Sequence, residues 1–154
     1  LEYNQQYMDK NPNAAPTDFM KLAEIYVNKA KKDPAKKIEN IDKAIGVYAK
    51  LSEKYPTLKT FAKLQEGNTA FQNELDDKAI AAYTEVINEL EAKQCDEDEL
   101  SYLKTSYQYM GFIYTYDKQD FNTAKPYWDK LLKLDPQNKL ANDAYEKAGL
   151  KPGE

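Results

Sequence analysis

The sequence predicts an all-α chain, a solenoid of antiparallel helix pairs, and three observations carry that prediction. First, a small residue, a ring four positions on and a helix-ending proline recur. Ala44, Tyr48, Leu51 and Pro56 form one copy, and Ala124, Trp128, Leu131 and Pro136 repeat its spacing. Ala79, Tyr83 and Val86 form another, with Glu91 where the proline would stand. Second, the apolar residues between these copies keep a helical period. Third, a repeat period in the thirties or forties marks stacked helix pairs, each burying its neighbour's apolar face. A chain of 154 residues holds about three to four pairs of roughly 34 residues.

Taken in order, residues 1–10 read as a helical fragment stopped by Asn11-Pro12-Asn13. Pro12 sits where Pro56 and Pro136 sit in their copies, so residues 1–12 are expected to be the remnant of an upstream repeat. The first full repeat spans 17–56. Thr17 or Asp18 is expected to cap its first helix, which carries Phe19, Leu22, Ala23 and Tyr26 on one face. Asp33-Pro34 closes that helix and opens the next, with aspartate as cap and proline in the first turn. The second helix carries Ile38, Ile41, Ala44, Ile45, Tyr48 and Leu51 and stops at Tyr55-Pro56.

The second repeat spans 58–93, with helices from about 58 to 73 and 76 to 93. Its inner positions are Phe61, Leu64, Gly67, Phe71, Ala79, Tyr83, Val86 and Ile87. The third, 97–136, opens in the acidic run Asp96 to Glu99, whose charge suits the positive end of a helix dipole. Leu100, Leu103, Tyr107, Met110, Gly111 and Tyr114 line its first helix, and Phe121 to Leu134 form its second. Residues 138–148 are expected to be a polar-faced capping helix, and 149–154 a frayed tail. Residues 1–148 thus read as one repeat domain.

Composition excludes several function classes. The chain has no histidine, and all 22 basic residues are lysine. Without histidine there is no Ser-His or Cys-His pair, no imidazole acid-base group and no His-containing zinc site. Without arginine there is no bidentate fork for phosphate, carboxylate or guanine. A net charge of −4 argues against non-specific nucleic-acid binding. No apolar run reaches the roughly 18 residues of a membrane span, so no membrane insertion is expected. Cys95 is the one cysteine; the acidic residues after it should raise its thiol pKa. No catalytic, cofactor or metal site is expected. The acidic run lacks the alternating ligands and central glycine of a calcium loop.

The chain resembles the tetratricopeptide repeat family. The third copy carries the likeness best: Tyr107, Met110, Gly111 and Tyr114, then Phe121, Ala124, Trp128, Leu131 and Asp135-Pro136. Gly111 and Ala124 would let two helix backbones approach, with Tyr114 and Trp128 filling the space beside them. In the second copy Gly67, Ala79 and Tyr83 fit, while Lys63 and Glu66 replace the expected ring and leucine. The first copy fits at Phe19, Leu22, Ala23 and Tyr26, with an extra stretch around Lys29 to Asn40. The third copy has one extra residue in its turn. Ala-Lys-Pro-Tyr-Trp and Leu-Asp-Pro-Gln-Asn near the end look like repeat proteins of Gram-negative envelopes.

The resemblance implies a right-handed superhelix whose first helices line a concave groove for a protein or peptide partner. Helical spacing places Met20, Glu24, Val27, Phe61, Leu64, Asn68, Phe71, Gln108, Tyr109, Phe112 and Tyr116 on that face. The same rings could instead pack against second helices, which would make the tract a spacer or self-association segment of a longer array. The carboxylate clamp of one subgroup is not matched: its positions hold Met20, Glu24, Gln65, Thr105 and Tyr109, with Asn68 one turn away. Lys31-Lys32 and Lys36-Lys37 form a basic corner, read as a solvated turn or as a contact for an anionic partner or lipid headgroup.

Overall fold

The computed structural model describes residues 5–154, and among them it is all-helical. The elements are α1 (Gln5–Lys10), α2 (Pro16–Lys32), α3 (Lys37–Lys54), α4 (Lys59–Gln72), α5 (Asp76–Glu91), α6 (Glu97–Phe112), α7 (Phe121–Leu134) and α8 (Lys139–Lys147). A π-helical turn, Ile113–Asp117, continues α6. Residues 1–4 of the expected opening fragment lie outside the described residues. Two compact units divide the chain, one up to Ala82 and one from Tyr83, with the boundary inside α5.

Prolines set three of the helix ends. Asp33, Tyr55 and Asp135 each precede a proline, and their ψ angles are 89°, 80° and 82°. The clash of proline Cδ with the preceding residue disfavours α geometry there, so the helix stops. Each of the three still donates its N–H to the carbonyl four residues back. Helix α4 has no such proline and ends in a Schellman motif. Glu74 takes a left-handed φ of 64°, and Leu75 N–H donates to the Ala70 carbonyl at 2.9 Å, satisfying a terminal acceptor.

Two expected termini move. The cap of α2 is Ala15, because Pro16 occupies its first turn; Asp18 instead accepts from the Ala15 N–H at 2.9 Å. Helix α5 ends at Glu91. Asp96 does cap α6, with Glu99 returning the bond to the Asp96 N–H. Asp120 caps α7 through the Thr123 N–H at 3.1 Å.

In the first unit α2 and α3 run antiparallel: Phe19, early in α2, meets Tyr55 just past α3 edge-on at 6.3 Å. Leu22, Ala23, Ala44, Val47, Leu51 and Ala62 pack with Phe19 into one core. The extra stretch before Ala44 forms no loop. It lengthens the hairpin, giving α2 and α3 17 and 18 residues against 14 and 16 in α4 and α5.

In the second unit Tyr107 faces Lys130, and Tyr114 stacks on Tyr127 at 6.2 Å and 3°. The α7 partner steps back as α6 advances, so these helices are antiparallel. Helix α8 runs parallel to α6, since Gln108 meets Asn138 and Tyr116 meets Lys147. The repeated small residues Ala44, Ala79 and Ala124 expose no surface, and Tyr48, Tyr83 and Trp128 are buried with them. A Cβ built on Gly111 would lie 2.6 Å from the Trp128 ring. The indole itself occupies the space above the glycine.

Candidate functional site

The π-turn that follows α6 borders a cleft of the second unit. One more residue than the α4–α5 turn must be accommodated here. The backbone absorbs it by widening: Lys118 N–H donates to the Ile113 carbonyl at 2.9 Å, and Asp120 N–H to the Tyr114 carbonyl at 2.7 Å. Gln119 then reverses the chain with φ of 52°. The wide turn aims Thr115 inward, where its hydroxyl accepts from Trp128 Nε1–H at 2.8 Å. Thr115, Tyr116, Gln119, Phe121, Ala144 and Lys147 line a cleft of about 340 Å³.

Tyr116 continues a row of rings on α6. Tyr109 lies 5.8 Å from Tyr83, and Phe112 lies 4.8 Å from Tyr116. All three of Tyr109, Phe112 and Tyr116 are half-buried. Lys147 Nζ stands 4.7 Å from the centre of the Tyr116 ring, a cation–π contact that puts positive charge at the cleft. Gln108, beside this row, has its side-chain carbonyl engaged by Asn138 Nδ2 at 3.1 Å. A surface of this kind can bury ring area and meet a carboxylate or carbonyl of a bound chain.

The first unit distributes its expected face residues differently. Met20 and Glu24 are exposed, and Asn68 and Phe71 are half-buried. Leu64 is only 5% exposed and offers no binding surface. Its spacing placed it on the open face, but the fold buries it. Val27 and Phe61 are partly buried against the core of the unit. Lys63 and Glu66 pair with one another at 2.9 Å. The carboxylate at an otherwise apolar position is thereby neutralised by its own helix.

Three contributors lay outside the sequence reading. Thr115 and Lys147 carry no pattern of their own. Glu91 did carry a signal, as the residue in a proline's place. Its carboxylate accepts from Tyr107 Oη at 2.5 Å and from Lys130 Nζ at 2.8 Å, joining α5, α6 and α7. Burial pushes its pKa up, but the hydrogen bonds from Lys130 and Tyr107 outweigh that and hold it below the usual value. The Cys95 thiol is raised, first by burial and then by Glu99, and its S–H points to the Leu90 carbonyl.

No helix among the described residues is long and apolar enough to cross a membrane. No protein-family model, curated protein or solved structure matches the chain.

Proposed function

We propose that this chain is a non-enzymatic tetratricopeptide-type scaffold of right-handed helical repeats that holds a segment of a partner protein. The observation that carries the reading is the row Tyr109, Phe112 and Tyr116, half-buried and running into a cleft edged by Lys147. Partly exposed, adjacent rings bury large area at small entropy cost, which is the character of binding hot spots. A chain without histidine or arginine, with a thiol of raised pKa, favours binding over chemistry.

The test is calorimetry on a partner captured with the parent protein, using Phe112→Ala and Phe71→Ala. Each is expected to weaken binding by about 1–2 kcal/mol with unchanged helicity. Affinity insensitive to both would remove the ring face as the site. The packing of Val27 and Phe61 on the core of the first unit favours a second reading, a spacer or self-association segment. Sedimentation showing concentration-dependent assembly, abolished by Phe112→Ala, would select that one.

A further inference from the structure

The lengthened α2–α3 hairpin ends in a tip unlike the rest of the molecule. Residues 29 to 43 hold six lysines and three carboxylates, within a chain whose net charge is −4. Two of those lysines are already engaged: Lys43 with Glu39 at 2.6 Å and Lys37 with Glu74 at 3.4 Å. Among the described residues no carboxylate forms an ion pair with Lys31, Lys32 or Lys36, and all three are exposed. Lys29, Lys32, Lys36 and Lys43, together with Asp33 and Glu39, edge a cleft of about 310 Å³ beside the tip.

Beside these lysines stands Ile38, with 60% of its surface exposed, the highest value among the exposed large hydrophobic residues. Pro34 and Ala35 next to it are exposed as well. Exposure of one apolar residue is ordinary. An exposed isoleucine at a hairpin tip, close in sequence to exposed lysines that form no ion pair, is a combination that suits an anionic bilayer. Lysines near a negatively charged leaflet gain electrostatic attraction, and an apolar side chain gains by entering the headgroup boundary. A soluble phosphate would use the lysines and leave Ile38 in water. A lipid surface uses both.

We propose that this tip is a peripheral docking site for an anionic phospholipid surface. Lys31, Lys32 and Lys36 meet headgroup phosphates, and Ile38 dips into the interface without spanning the membrane. The site is independent of the ring face on α6. The test is co-sedimentation of the full chain with phosphatidylcholine vesicles, with and without phosphatidylglycerol, at low and high salt. Binding is expected only with phosphatidylglycerol and is expected to weaken as salt rises.

Reversing Lys31, Lys32 and Lys36 together to glutamate should weaken binding on the order of 100-fold, and Ile38→Ser about tenfold. Reversing the exposed Lys10, Lys133 and Lys151 instead changes net charge equally and should have a much smaller effect. Circular dichroism checks that each variant keeps its helices. No phosphatidylglycerol-dependent binding at low salt, or binding indifferent to the tip lysines, would overturn the proposal. Lysine-dependent binding that ignores Ile38→Ser and is displaced by inorganic phosphate would make the tip a soluble-anion site instead. Binding of polyglutamate through the same lysines, without vesicle binding, would assign it to an acidic polypeptide.

Discussion

Any side chain at Gly111 drives a Cβ to 2.6 Å from the indole of Trp128, which has no exposed surface and no free direction to retreat. The ring is further pinned by its bond to Thr115. Gly111→Leu is therefore expected to destabilise the fold by about 1–3 kcal/mol or more, the usual effect of overpacking. Denaturant unfolding of the variant checks this, and an unchanged midpoint would contradict the packing. A second expectation concerns the phenols of Tyr83, Tyr107 and Tyr145. Burial raises all three pKa values, with Glu91 adding to the shift of Tyr107 and Asp129 to that of Tyr145. Folded values above the unfolded ones mean that their stability is fully present below about pH 10. It is then lost as pH rises through the folded values. Unfolding midpoints should fall above that pH, and Tyr107→Phe should flatten the decline.

Helix ends show which local forces decide an element. Three helices stop where proline excludes α geometry at the preceding residue, and α4 stops by a left-handed Glu74. The π-turn after α6 ends on Gln119, also left-handed at φ 52°. That conformation costs a non-glycine residue roughly 1–2 kcal/mol, partly offset by the smaller unfolded-state entropy of glutamine relative to glycine. Gln119→Gly should consequently raise stability by a net amount of up to about 1 kcal/mol. Thermal melting of the variant measures it; a lower melting temperature would show that the Gln119 side chain contributes more than its backbone strain costs.

At the scale of the molecule, ion pairs within each unit join alternate helices among the described residues. In the first unit Lys50 pairs with Asp9 at 3.1 Å and Lys78 with Asp42 at 2.6 Å; in the second, Lys130 pairs with Glu91 at 2.8 Å. The regularity invites the view that these pairs hold each unit together. Magnitudes argue otherwise. Exposed pairs contribute about 0.2–1 kcal/mol each, whereas removing a fully buried ring such as Trp128 costs about 3–5 kcal/mol. Lys78→Ala is expected to shift stability by less than about 1 kcal/mol, and raised salt to change the unfolding midpoint little. A large loss in either experiment would place these pairs above the alanine–ring core as the stabilising element.

Helix type, order and most boundaries were legible in the sequence because their causes are local. Apolar residues at helical spacing, aspartate caps and X-Pro steps act within a few residues of themselves. The alanine–ring repeat was legible too, since burial at Ala44, Ala79 and Ala124 follows from one spacing used three times. What only tertiary structure decided is which neighbour each side chain meets. Helical spacing placed Leu64, Val27 and Phe61 on the open face, yet Leu64 is buried and Val27 and Phe61 pack partly against the core of the first unit. Glu91 became a junction because Tyr107 and Lys130 reach it from two other helices. Ile38 carries the spacing of a core residue, yet 60% of its surface is exposed. Spacing along one helix specifies a face; exposure of that face depends on where the next helix ends.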